Sequence, residues 1–208
     1  MQYHTFDISG KKVTIPSPRS YRDCARLIRS DYHRHTGRLN ASLWRIWFGG
    51  LSRTSMGFSF WFRLSQHRKG WLYPLARLMA KRYKRSYGLF ISPRTLIGYG
   101  FNIQHCCGII INANAVIGNN VNIGQLTTIG SNVRGRSAMI GDYVYLGPGL
   151  NIVDEVQIGS GSCVGAGAVV TRDVPPGVTV AGVPARKISD KTHLDYIRKP
   201  YPLDDLPS

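Results

Sequence analysis

The hexad Ile117–Asn122, IGNNVN, decides the fold, because altered copies of it return along the chain. IGDYVY (Ile140–Tyr145), IGSGSC (Ile158–Cys163) and VGAGAV (Val164–Val169) share its aliphatic-glycine opening. Working outward, aliphatic residues recur every six positions at Ile91, Ile97 and Ile103, then at Ile111, Ile117, Ile123 and Ile129. A third run holds Ile140, Leu146, Ile152, Ile158, Val164 and Val170. Four residues after such positions comes a second apolar or small one, among them Cys107, Val121, Thr127, Val133, Val144, Leu150, Val156, Ser162 and Ala168. Neither the strand period of two nor the helical period of 3.6 produces this register. A fixed period sustained over many copies marks a stacked repeat. Six residues supply one short strand and a turn, and three such units close a triangular coil. One coil cannot bury its own inner face, so coils must stack. The aliphatic residues are expected to point inward, with glycine easing each corner.

Two irregularities interrupt the array. Two extra residues fall between Ile103 and Ile111, around CCGI in IQHCCGIII, and five fall between Ile129 and Ile140, within SNVRGRSAM. The first interruption contains His105, the only histidine between Gly70 and Thr192. The register puts Ile103 and Cys107 inward, so His105 between them should face outward. An outward histidine at an interruption of the repeat is a candidate working residue. The second interruption contains Arg134 and Arg136. Loops on a rigid scaffold commonly bind ligands, and these arginines are candidate contacts for an acidic group on a substrate.

The array resembles the hexapeptide-repeat acyltransferases, whose fold is a left-handed parallel β-helix. Within them it is most similar to serine acetyltransferases and the related O-acetyltransferases of bacterial surface polysaccharides. The residues that carry the likeness are IQHCCGIIINANAVIG (Ile103–Gly118) and VGAGAVVTRDVPPGVTVAGVPARKI (Val164–Ile188). The resemblance implies acetyl-CoA as co-substrate and His105 as the base that deprotonates the acceptor hydroxyl. It also implies a coenzyme A groove along Ala166, Ala181 and Gly182, with Arg186 and Lys187 near the nucleotide phosphates, and trimers or paired trimers with sites between chains. The chain departs from the serine enzymes where they carry acceptor-contacting groups. Gln104 replaces an aspartate, Phe90 and Ala113 replace acidic residues, and Arg136-Ser137-Ala138 stands where they have an RHP motif. On those departures the expected acceptor is a sugar hydroxyl of a surface polysaccharide or its precursor, with serine O-acetylation of cysteine biosynthesis as the alternative.

The domain plan is a basic helical region over 1–90, a mainly β unit over 91–188 and a tail over 189–208. Up to Phe90 there are 18 Lys/Arg against 3 Asp/Glu, a balance of +15, whereas the remainder has 9 against 8, or +1. Such asymmetry favours an anionic partner for the first part. Helices are expected at Pro18–His35, with Ser17 as N-cap, at about Met56–Gln66, and after Gly70. On the last, Trp71, Leu72, Leu75, Leu78 and Met79 share one face. This stripe is read as packing that covers the open end of the repeat, with a membrane surface as the other reading. Arg45 and Arg53 interrupt the apolar segment Leu43–Phe62, which argues against a spanning helix. No signal peptide is visible. The four cysteines have neither disulfide-framework nor CxxC spacing, and reduced thiols in the cytoplasm are expected. A metal-dependent hydratase on this fold needs several imidazoles, and the repeat offers one, so no metal is expected. A nucleic-acid binder acting through the basic helices is the remaining rival, and no nucleic-acid partner is expected.

Overall fold

The computed structural model of the protein describes residues 1–52, 54–204 and 206, the side chains of 50–52 excepted. Arg53, which interrupts the apolar segment, lies outside the described residues, as do Asp205, Pro207 and Ser208. From Phe90 the chain winds into a left-handed parallel β-helix of three faces, each built from short rungs. Face one stacks Ile91, Ile111, Ile129, Ile152 and Val170. Face two stacks Ile97, Ile117, Ile140 and Ile158, with Val174 bridged to Ile158. Face three stacks Ile103, Ile123, Leu146, Val164 and Val180. The aliphatic residues from Ile117 through Val164 in this register have no exposed surface. Burying each is worth about 1.5–3 kcal/mol relative to leaving it in water, and that column is the core.

Two expected inward residues are not inward. Cys107 is exposed and Val133 is fully so. Ile109 and Ala138 take their places, both with no exposed surface. Each stands two residues before the next rung, at Ile111 and Ile140. The inner position is therefore set by the rung that follows it, and extra residues are accommodated before it.

The glycines also act differently from expectation. Those directly after the aliphatic residue lack left-handed φ; they sit where successive coils touch. A Cβ on Gly147 would lie 2.7 Å from the backbone N of Ala166 in the next coil. The left-handed angles fall two residues later, as at Gly149 (φ 70°) and Leu126 (φ 57°).

The first part of the chain opens with a β-hairpin, β1 (Gln2–Ile8) and β2 (Lys11–Ser17), not a helix. Ile8, Val13 and Ile15 pack on Val116, Leu96 and Met139, so the hairpin covers face two. Helix α1 (Tyr21–Thr36) follows, then α2 (Leu43–Ser52), α3 (Thr54–Gln66) and α4 (Tyr73–Tyr87). Ser17 ends β2, and the N-cap of α1 is Ser20. The Ser20 hydroxyl accepts from Asp23 N at 3.2 Å, and Asp23 Oδ2 accepts from Ser20 N at 3.0 Å. This reciprocal pair satisfies two otherwise orphaned N–H groups, which Ser17 could not do. Gly37, at φ 78°, ends the helix.

The open end of the β-helix is covered by α1 and α3. Phe58 and Phe62 of α3 join the prism core, while a fully buried ion pair, Arg63–Asp31, meets the polar atoms. Arg63 donates to Ile97 O (2.8 Å) and Gly98 O (2.6 Å), and Asp31 Oδ1 accepts from Phe101 N (2.9 Å). The stripe at α4 does not do this work: Trp71, just before the helix, and Leu75 and Leu78 on it are exposed, and Ala76 is the fully buried residue of the helix. The amphipathic pattern was real, but two other helices had already filled the end.

The last residues run back down face three. The Tyr196 ring lies 4.8 Å from Tyr145, Ile197 is buried, and Tyr201 stacks on Tyr99 at 5.4 Å. Asn120 holds the Tyr201 backbone at both its N–H (2.7 Å) and its C=O (2.9 Å).

Removing one member of a buried ion pair strands the other charge, typically at about 3–5 kcal/mol. Asp31→Ala should cost that much, read as a lower urea midpoint with an unchanged slope. Arg63→Met should cost at least as much, because it also leaves the buried carbonyls of Ile97 and Gly98 unpaired.

Candidate active site

The ladder shows which residues form the first interruption. Gln104 N donates to Ile123 O (3.1 Å), matching Gly124 N to Leu146 O (2.8 Å) one coil on. The next regular bond, Gly149 N to Gln125 O (2.8 Å), has its counterpart in Leu126 N to Cys107 O (2.9 Å). Cys107 thus occupies the Gln125 position, and the two extra residues are His105 and Cys106 rather than the CCGI stretch. A turn closed by Cys107 N to His105 O (3.0 Å) lifts them out of the coil. Cys106 folds back against the core, where burial pushes its thiol up to about 12. His105 goes the other way and is exposed, as its expected role requires. Gly108, at φ 62°, returns the chain to register, its N–H donating to Tyr87 O (2.8 Å).

His105 therefore stands on the edge where face three turns into face one. Counting two residues past each rung of face three places Gln125, Pro148, Ala166 and Gly182 on the same edge. Successive coils are about 4.8 Å apart, so Ala166 lies about 14 Å up the edge from His105. A Cβ on Gly165 would meet Ala181 Cβ at 3.0 Å, which puts Ala181 directly above Gly165. Gly182 has φ 94°, a conformation that L side chains rarely adopt. Its C=O accepts from Val169 N (3.0 Å), tying the AGVPAR turn to face one. The edge is thus a strip of small residues with backbone groups within reach, suited to a narrow extended ligand that ends at an imidazole.

The two basic residues beyond it differ. Arg186 pairs in register with Ala181 and is exposed at the top of the strip. Lys187 pairs with Val180 and forms an ion pair with Asp190, so its charge already has a partner. Arg134 and Arg136 lie elsewhere, on a small hairpin between faces one and two closed by Ser131 and Ser137. Arg136 is ion-paired with Glu155 at 3.0 Å, both exposed. Within one chain, face one separates this hairpin from His105. Gln125 and Pro148, which complete the strip, were not singled out in the sequence; register counting from Ile123 and Leu146 finds them.

The sequence comparisons fit this geometry. A family model described as bacterial transferase hexapeptide (six repeats) matches residues 137–172. The Neisseria gonorrhoeae serine acetyltransferase, solved in complex with serine, is 30% identical, with TM-score 0.63, and the match covers 81% of this chain and 70% of that one. The serine acetyltransferase of Brucella abortus strain S19, solved with coenzyme A, is 26% identical, with TM-score 0.63, over 82% of this chain and 69% of that one. The chain belongs to the hexapeptide-repeat transferases. Among its relatives there, the serine acetyltransferase of Escherichia coli K12 is 36% identical over 128 residues, 58% of this chain and 47% of that protein. The chain spans about half the length of the curated relatives it matches.

These relatives overturn the expected sugar acceptor and the polysaccharide role. The relatives named above, alike in fold and in sequence, are serine acetyltransferases. The expectation rested on missing side chains around His105, and missing ligands for one acceptor do not specify another.

The strip itself is testable without a ligand. Gly147→Ala inserts a methyl group against the Ala166 backbone, and overpacking of this kind costs about 1–3 kcal/mol. A lowered thermal midpoint is expected, whereas Gly149→Asn, at a left-handed position open to asparagine, should be close to neutral.

Proposed function

We propose that the chain is an acetyl-CoA-dependent O-acetyltransferase whose acceptor is the hydroxyl of serine. The observation that carries this reading is the lifted, exposed His105 on one edge with the small-residue strip, in a chain similar to serine acetyltransferases. In the proposed reaction the His105 imidazole removes the hydroxyl proton as that oxygen attacks the thioester carbonyl. Collapse of the tetrahedral intermediate breaks the carbon–sulfur bond, and the imidazolium returns its proton to the departing thiolate. The products are the acetyl ester and the free coenzyme thiol. Backbone groups beside Ala166, Ala181 and Gly182 hold the pantetheine arm, and Arg186 contacts a phosphate with a charge-assisted bond. Lys187 would have to leave Asp190 to join it.

The outer side of the His105 edge is bare in a single chain, so the reading includes a homotrimer in which a neighbour walls the groove. Arg134 reaches an acceptor only from such a neighbour, because its own His105 lies across face one. The departures at Gln104, Phe90 and Ala113 mean that the ring is oriented by groups other than those of the serine enzymes.

Purified protein should release thiol from acetyl-CoA in a serine-dependent manner. Absence of serine-dependent release, with acetyl-CoA still bound by calorimetry, would overturn the acceptor assignment. His105→Ala should lower kcat by about 10²–10⁴-fold, the usual size of a general-base contribution, with an unchanged far-ultraviolet spectrum. Ala166→Leu should instead raise KM for acetyl-CoA, since it narrows the strip away from the reacting atoms.

A further inference from the structure

Helices α2 and α4 present an apolar surface that the fold leaves uncovered. Trp44 is 71% exposed, Phe48 58%, Trp71 79% and Leu78 63%. Between the two helices, with α3 contributing Trp61, runs a groove of about 310 Å³ also lined by Leu43, Trp44, Trp47, Leu72 and Leu75. Contiguous exposed apolar surface of this kind marks an interaction site. Trp71 stands just before α4, and on the helix Leu75 and Leu78 lead at helical spacing into Arg82 and Arg85, both exposed. Arg77 and Lys81 flank this stripe and are exposed as well.

Charge identifies the occupant. Residues 43–87 contain ten Lys/Arg and no Asp/Glu. Arg63 is internal and Arg53 lies outside the described residues, which leaves eight, all exposed. A second copy docking through the same face would set these cations against their equivalents with no carboxylate between them. Nucleic acid offers phosphate and bases that stack on tryptophan, but no aliphatic phase for Leu43, Leu72, Leu75 and Leu78. A bilayer with anionic head groups supplies both phosphate and hydrocarbon, with tryptophan at the boundary between them. Among the described residues no helix is long and apolar enough to cross a membrane, so the contact is with the surface. We propose that α2 and α4 bind an anionic membrane surface, with Trp44, Phe48, Trp71 and Leu78 inserted at the head-group boundary and the arginines and lysines on phosphate. The proposal is independent of the reaction proposed above.

The full-length chain should float with vesicles of phosphatidylcholine mixed with phosphatidylglycerol, and not with phosphatidylcholine alone. Partitioning should weaken as salt is raised, because exposed charges are screened. Trp71→Ser combined with Leu78→Ser removes two side chains that are mostly in water, so folding should hold, checked by the thermal midpoint. That variant should bind anionic vesicles at least about tenfold more weakly. Failure of the unaltered protein to float with anionic vesicles would overturn the proposal, as would full binding by the double variant. A change in the oligomeric state of the double variant in lipid-free buffer would also overturn it, by showing that another copy covers the surface.

Discussion

A β-helix has no partner for its first coil, and in this protein the Asp31–Arg63 pair fills that vacancy. Along the rungs each coil donates N–H groups to carbonyls of the coil that follows, as Gly98 N does to Ile117 O, whereas at the corners the direction reverses, as in Asn120 N to Tyr99 O. The first coil is therefore left with rung carbonyls and corner N–H groups facing outward at the open end. Buried backbone polar groups must be paired, and a water-filled end would expose the aliphatic column. Arg63 takes the carbonyls of Ile97 and Gly98, Asp31 takes the N–H of Phe101, and Ser30 takes the N–H of Gly100 at 3.0 Å. Two helices thereby imitate the missing coil with side chains, while Phe58 and Phe62 supply its hydrocarbon.

That seal also fixes the coil that carries His105. Arg34, one turn along α1 from Asp31, donates to Gly100 O (2.7 Å), to Asn122 Oδ1 (2.6 Å) and to Arg198 O (3.1 Å). One guanidinium thus joins the first coil, the second coil and the returning tail. Among the described residues no carboxylate is bonded to it, and burial pushes it down to about 10. Asn122 completes the clamp by donating to Tyr196 O at 2.7 Å. Because coils one and two are held this firmly on face three, the His105–Cys106 turn emerges from a rigid base. The imidazole is positioned by scaffold rather than by a flexible loop.

The six-residue period made the three faces and their inward columns legible, because each rung repeats the same chemistry. It failed at Cys107 and Val133 for one reason: the period was counted forward through an insertion, whereas the ladder re-forms from the following rung. Counted backward from Ile111 and Ile140, the same sequence names Ile109 and Ala138. The glycine positions were legible but their cause was not, since close contact between coils is a property of the stack and not of one hexad. Helical spacing located α1, α3 and α4, yet could not say that α4 would be left uncovered. That depended on α1 and α3 reaching the end of the prism first. The hairpin β1–β2 was missed because its apolar residues alternate over only a few positions at the start of a basic segment.

The surroundings of His105 constrain how it can act. The sequence holds no Asp or Glu between Asp31 and Asp142. Asp31 is committed to Arg63, and Asp142 accepts from Asn119 on the edge between faces two and three, where burial raises its pKa against those bonds. Glu155 is paired with Arg136, and Asp173 accepts from Gln157 N at 2.7 Å, both on the edge between faces one and two. From Gln104 to Gly182 the His105 edge itself contains no carboxylate. Among the described residues of the β-helix, then, no acidic side chain shares an edge with the imidazole, and among all the described residues none is bonded to its ring. In the proposed reaction the ring would be oriented by a neutral amide or carbonyl of this edge or by a side chain from a neighbouring subunit. A neutral partner fixes tautomer and direction without stabilising the imidazolium as strongly as a carboxylate would. If His105 is the base of the proposed reaction, it depends on the rigidity of its mounting, and the sealed, clamped first coil provides it.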